Sequence, residues 1–143
     1  MKIAIASDHA GVGYKIQLVN FLKTKGIEVK DFGPMNEESV DYPDYAHPVA
    51  YAVEKKDADL GILLCGSGNG INMSANKHLA IRSALCWKKE IAELARLHNN
   101  ANILAMPARF ISYEEAQEIV VVFLETKFEG GRHERRVNKI ACI

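Results

Sequence analysis

The chain is short of several things, and each absence narrows what it does. It has no net charge, since 18 Lys+Arg balance 18 Asp+Glu. That argues against broad electrostatic capture of nucleic acid, which needs a basic surface. Cysteine is sparse: Cys65, Cys86 and Cys142 are an odd number at wide spacing. They make no disulfide framework and suggest a reducing cytoplasm. Neither CxxC nor HExxH occurs, so no structural or catalytic zinc is expected. No apolar run is long enough to span a bilayer. Met1-Lys2-Ile3 leads directly into an apolar strand, so no signal peptide is expected either. Two nucleotide-binding loops are also missing: there is no GxGxxG spacing and no Gly-Lys-Ser/Thr. A nicotinamide or nucleotide cofactor is therefore not expected.

What is present is an ordinary globular composition. Apolar residues make up 48% of the 143 and charged residues 25%. One domain over 1–143 accounts for the length, with 130–143 as a C-terminal arm. Apolar runs alternate with helical patterns. Lys2–Ala6, Ile27–Phe32, Leu60–Leu64, Ile81–Cys86 and Asn102–Met106 read as strands. Between them, Val12, Ile16, Val19 and Leu22 recur at helical spacing before Gly26. Gly33–Tyr45 is a polar loop, Ala46–Lys55 is a helix, and Ile91, Leu94, Ala95 and His98 share one helical face. Ser112-Tyr113-Glu114-Glu115 matches a capping box and opens a helix to about Lys127. Gly130-Gly131 then leads into a basic tail. Five strands alternating with helices predict an α/β fold, a doubly wound parallel sheet with right-handed crossovers. The commonest strand order for such a sheet is 2-1-3-4-5, with its ligand crevice between strands 1 and 3.

Two loops reach that crevice. Strand 3 ends in Cys65-Gly66-Ser67-Gly68-Asn69-Gly70 and strand 1 in Ser7-Asp8-His9-Ala10-Gly11. Alternate glycines after a strand let backbone N–H groups gather around an anion. Those donors favour negative charge on the Cys65 thiolate or on a bound oxyanion. A free cysteine is often only a small buried hydrophobe, but its place before the glycines tips Cys65 toward catalysis. Cys86 has no such glycines and reads as structural; Cys142 reads as incidental. Asp8 alone would be a helix cap with His9 exposed beside it. Nearness to Cys65 favours a site role for both. His47 and His78 have no such neighbours and read as structural or exposed. His98 is balanced between a core-face histidine and a functional one. Arg109 follows strand 5, and Arg132, His133, Arg135 and Arg136 cluster in the tail. Arginine suits bidentate phosphate binding, though a charge run is commonly a solvated face.

Taken in order, Ser7-Asp8-His9-Ala10-Gly11, Asp41-Tyr42-Pro43, Cys65-Gly66-Ser67-Gly68, Ala75-Asn76-Lys77, His98-Asn99-Asn100-Ala101-Asn102 and Gly130-Gly131-Arg132-His133 resemble the ribose-5-phosphate isomerase B family of sugar-phosphate isomerases. The resemblance spans essentially the whole chain. Some relatives carry threonine where Ser67 stands, which keeps the hydroxyl. Others replace the cysteine base with a glutamate elsewhere, but Cys65 is present here. The resemblance implies cofactor-free, metal-free interconversion of ribose 5-phosphate and ribulose 5-phosphate through a cis-enediolate, in the pentose phosphate pathway. It implies Cys65 as base, the amides of residues 66–70 (Gly66, Ser67, Gly68, Asn69 and Gly70) as oxyanion donors, and the Ser67 hydroxyl as proton relay. His98 would open the furanose and Asp8 would orient the sugar hydroxyls. Tyr42 and Asn99 would contact the sugar, and His9, Arg109, Arg132 and Arg136 would hold the phosphate. The alternatives are an allose- or galactose-6-phosphate enzyme of the same family, or a non-enzymatic flavodoxin-like binding module.

Topology adds one expectation. His98 precedes strand 5 and Cys65 ends strand 3, so they belong to opposite edges, roughly 17 Å apart for a five-residue strand. The last helix delivers Arg132 and Arg136 to the same edge as His98. A homodimer with composite sites, alone or paired into a tetramer, would bring the two halves together.

Overall fold

The computed structural model describes residues 1–143. Five parallel strands form one sheet: β1 (Lys2–Ser7), β2 (Glu28–Asp31), β3 (Leu60–Cys65), β4 (Ser83–Leu85) and β5 (Ile103–Pro107). The helices are α1 (Val12–Thr24), α2 (Tyr42–Glu54), α3 (Asn69–Ala75), α4 (Lys89–Leu97), α5 (Tyr113–Glu125) and α6 (Arg132–Val137). The strand order is β2-β1-β3-β5-β4, which corrects the expected 2-1-3-4-5 at one edge. Burial supplies the reason. A central parallel strand has helices on both faces and needs apolar residues throughout. β5 is buried at all five positions, whereas β4 is only half-buried at its three. Arg82 and Ser83 suit an edge. The crevice between β1 and β3 keeps its place, but the neighbour of β3 on its other side is β5.

Alternation along the strands feeds two cores. Ile3, Ile5, Ile62, Leu64, Leu104 and Met106 pack with α1, α4 and α5. Ala4, Ala6, Leu63, Cys65 and Ala105 pack with α2 and α3. Small residues on that second face let α2 settle close to the sheet. Cys65 is one of its side chains, at the carboxyl end of a central strand.

Element ends follow local chemistry. α2 begins at Tyr42 rather than Ala46, because Pro43 fits a first helical turn. α3 begins at Asn69, inside the glycine loop itself. The expected capping box is formed: Ser112 Oγ accepts from the Glu115 amide at 3.1 Å, and Glu115 Oε2 accepts from the Ser112 amide at 2.8 Å. The basic tail folds in part as the short helix α6. Lys15 of α1 is fully buried and donates to Asp31 at 2.7 and 2.9 Å. Asp31 also accepts from the Gly33 amide at 2.8 Å, so the pair ties α1 to the end of β2 and the loop beyond it. No helix is long and apolar enough to cross a membrane.

Candidate active site

The loop after β3 is built around the sulfur of Cys65. Its side chain is 4% exposed, and the Gly68 amide donates to Sγ at 3.1 Å. An N–H aimed at sulfur suits a thiolate better than a thiol. Gly68 reaches that position with φ of +76°, and a Cβ there would run into Leu85 and the backbone of Met106 and Pro107. The loop thus presses against β5 with no room for a side chain. The Asn69 amide donates to Ser67 Oγ at 3.2 Å. The amides of Gly66 and Ser67 donate to no group of the chain. Of the five amides expected to face an oxyanion, one therefore serves the sulfur, one serves the serine hydroxyl, and those of Gly66, Ser67 and Gly70 are left without a partner in the chain.

Neighbouring elements close in on the same loop. Asp8 lies at the end of β1, where its amide donates to Leu64 O at 2.9 Å. Its Oδ1 accepts from the Ala10 and Gly11 amides at 2.8 and 3.3 Å, so it caps the 3-10 turn His9–Gly11. His9 Nδ1 accepts from the Val40 amide at 3.3 Å, which leaves Nε2 to carry the neutral ring's proton. The Tyr42 ring covers Gly70 so closely that a Cβ there would lie 2.5–2.8 Å from ring atoms. Arg109 enters from β5: its amide donates to Gly66 O at 3.0 Å, and its guanidinium would lie 3.3 Å from a Cβ on Gly66. This arginine reaches the loop after Cys65 because β5 pairs directly with β3, Cys65 opposite Pro107. A cleft of about 440 Å³ runs alongside, lined by Ser67, Asn69, Trp87, Lys88 and Phe110.

The remaining site candidates gather at the opposite edge. His98 caps α4, and Asn99 beside it is exposed. The His98 ring stacks on His133 of α6, with centroids 4.2 Å apart and planes inclined by 12°. Glu129 Oε2 lies 3.8 Å from His98 Nε2 and 3.7 Å from His133 Nε2. Burial, then His98, Arg132 and Arg136, hold His133 below the usual histidine range, against the pull of Glu129. His98, Glu129 and His133 offer ligand atoms within 4.8 Å of one another, the one group compact enough to surround a metal ion. Arg132 and Arg136 are exposed on α6. Glu129 was not singled out from the sequence, and His133 was seen only as part of a charge cluster. Their spacing of four on either side of Gly130-Gly131 was the available signal.

Other motif residues prove to be structural. Asn76 accepts from the Ser83 amide at 2.8 Å and donates to Ser83 O at 2.9 Å, clipping α3 to β4. Asn102 accepts from the Arg82 amide at 2.7 Å and donates to Ala80 O at 2.8 Å. Burial pushes the Cys86 thiol up to about 12, as befits a core residue. His47 and His78 do meet, ring nitrogen to ring nitrogen at 2.9 Å, and His78 also reaches Glu54 at 3.1 Å. They join α2 to the segment after α3. A second cleft, of about 430 Å³, lies at the amino edge among Leu79, Arg82, Asn99 and Ile140, away from Cys65.

The model of the family described as Ribose/Galactose Isomerase matches residues 3–140. The chain is 44% identical to ribose-5-phosphate isomerase B of Escherichia coli over 142 residues, covering 99% of this chain and 95% of that one. Its structure superposes on a ribose 5-phosphate isomerase from Thermotoga maritima with a TM-score of 0.97 and 55% identity, over 99% of this chain and 98% of that one. The Mycoplasma genitalium ribose-5-phosphate isomerase B, solved with bound ribulose-5-phosphate, matches with a TM-score of 0.94 and 46% identity, over 98% and 93% of the two chains.

Proposed function

Because the chain belongs to the ribose/galactose isomerase family, we propose that it interconverts ribose 5-phosphate and ribulose 5-phosphate, with Cys65 as the base. The observation that carries the base assignment is the Gly68 amide aimed at Cys65 Sγ, next to unused amides. Aldose–ketose isomerisation moves one proton from C2 to C1. A thiolate at Cys65 takes the C2 proton of the open-chain aldose, and the electron pair becomes an enediolate. The Gly66 and Ser67 amides hold its oxygen, a contribution of roughly 3–4 kcal/mol per donor in comparable oxyanion sites. Ser67 Oγ passes a proton between O1 and O2, and Cys65 returns its proton to C1.

The phosphate goes to His9 Nε2 and Arg109, and Tyr42 over Gly70 borders the sugar. Asp8, already capping the 3-10 turn, holds that turn and with it His9. The furanose must open before C2 is acidic, and His98 is the group suited to that proton transfer. It stands at the other edge of the sheet, so we assign His98, Asn99, Arg132 and Arg136 to the site of a second copy. The working unit in this reading is a homodimer with two composite sites.

The test is subunit mixing. Cys65→Ala and His98→Ala chains are each expected to be inactive on ribose 5-phosphate. Random re-pairing makes about half the dimers mixed, each with one intact site, and so recovers about a quarter of parent activity. No recovery despite demonstrated subunit exchange refutes the composite site. Undiminished turnover by folded Cys65→Ala refutes the base. Comparing five- and six-carbon sugar phosphates in the same assay decides the substrate length.

A further inference from the structure

We propose that Glu129 and His133 form a clamp that holds the His98 ring and balances its charge during sugar-ring opening. This rests on the ring-opening role assigned above to His98, and both clamp residues are positioning residues. The clamp is built into the turn between α5 and α6. The Glu129 amide donates to Leu97 O at 3.1 Å, so the chain docks one residue before His98. The His133 amide donates to Gly130 O at 3.1 Å, which curls the chain back. The His133 ring is thereby laid flat against His98, 4.2 Å away. His133 is only 5% exposed, and its Nε2 is buried without a hydrogen-bond partner.

The charges sort the roles. The charged groups that act on His133 are His98 at the end of α4 and, on the arm itself, Glu129, Arg132 and Arg136; Glu129 also faces His98. Burial and the cationic neighbours keep His133 neutral near neutral pH, so it packs against His98 without repelling it. Glu129 is then left to face a positive His98. Ring opening needs that state in passing. The anomeric O1–H gives its proton to His98, the C1–O4 bond breaks as the C1 carbonyl forms, and O4 receives a proton from the imidazolium. No proton is gained or lost overall. A cation held by His98, Glu129 and His133 is the rival reading. It is disfavoured by two flanking arginines and by rings stacked in parallel rather than splayed around a common point.

The two sugars separate this step from enolisation. Ribulose 5-phosphate cannot close a furanose, because its C5 oxygen carries the phosphate. Exchange of its C1 hydrogen with solvent deuterium requires only the base, whereas turnover of ribose 5-phosphate requires ring opening as well. Glu129→Gln, an exposed and sterically neutral change, and His133→Ala are expected to slow ribose 5-phosphate turnover about tenfold or more. Deuterium exchange into ribulose 5-phosphate should stay within about twofold of the parent. His98→Ala should show the same split more deeply. Turnover within about twofold of parent in both clamp variants, or exchange falling in step with turnover, overturns the clamp. If His98→Ala shows no split, the ring-opening role falls and the clamp with it. If His98→Ala splits and the clamp variants do not, only the clamp falls.

Discussion

Adding one methyl group at Gly68 tests how the Cys65 loop is held. The residue has φ of +76°, and a Cβ there meets Leu85 Cδ1, Met106 C at 3.1 Å and Pro107 N at 3.2 Å. The left-handed backbone costs an alanine about 1 kcal/mol. Overpacking adds about 1–3 kcal/mol, because two of the three contacts are backbone of a central strand and cannot rotate away. Gly68→Ala should therefore lose about 2–4 kcal/mol. At roughly 3–5 °C per kcal/mol for a chain of this length, Tm falls by about 10 °C. Once Leu85 has moved aside, relief of the remaining backbone contacts shifts the loop and with it the Gly68 amide on Cys65 Sγ. A displacement near 1 Å at a reacting group costs on the order of 10²-fold in rate. Leu85→Ala removes the side-chain contact and leaves the backbone contacts. The double variant should be more stable than additivity predicts by about 1 kcal/mol, without regaining activity. Melting curves and ribose 5-phosphate turnover measure both effects. A Gly68→Ala protein that melts within about 2 °C of the parent and keeps full turnover refutes the packing argument and the link to sulfur.

The buried Lys15–Asp31 pair gives another prediction. Lys15→Met leaves the Asp31 charge uncompensated and should cost about 3–5 kcal/mol by urea unfolding, while replacing both partners with apolar residues should cost less than either single change. A Lys15→Met loss below about 1 kcal/mol contradicts that view. His133 predicts a pH dependence. Its folded value lies below the ordinary 6.5, so under about pH 6.5 the unfolded chain binds a proton that the folded chain does not. The stability linked to this residue is full above that pH and erodes as pH falls through the window toward the lower folded value. Tm should drop more steeply on acidification in the parent than in His133→Gln; equal slopes would count against it.

Much of the site could be read from residue order, because it depends on local chemistry. Three alternate glycines behind an apolar strand announce a backbone pressed against something, and the structure shows both the sulfur and β5 as what they press against. The capping box at Ser112 needed only residues three apart. The strand order was misjudged because frequency was used where burial should have decided. Ile103–Met106 is apolar throughout, while Arg82 and Ser83 mark an edge, so the sequence did hold the answer. The Glu129–His133 pair was hidden for a different reason. It depends on the chain reversing at Gly130-Gly131 and docking on Leu97, and no periodicity encodes a contact between a turn and the end of a helix thirty-odd residues earlier. The Asp8 carboxylate shows the reverse case, where the ordinary capping role is the one the coordinates display.

The corrected strand order also sharpens why the proposed chemistry divides between two edges. With β5 beside β3, the carboxyl edge gathers the thiol, the free amides, His9, Tyr42 and one arginine. In the proposed reading those parts bind the phosphate and stabilise the enediolate. His98, the group proposed to pass a proton between the anomeric hydroxyl and the ring oxygen, is not among them. The group fit for that step is anchored at the amino edge, held there by α4, the α5–α6 turn and α6, together with two more arginines. A parallel sheet cannot shorten the distance between its own edges, because strand length sets it. In the reading proposed above, a single chain carries the enolisation half of the site and lacks the ring-opening half. Deuterium exchange into ribulose 5-phosphate by isolated Cys65-containing chains, without turnover of ribose 5-phosphate, is the signature expected of half a site. Its pairing with a second copy is what would join the two steps.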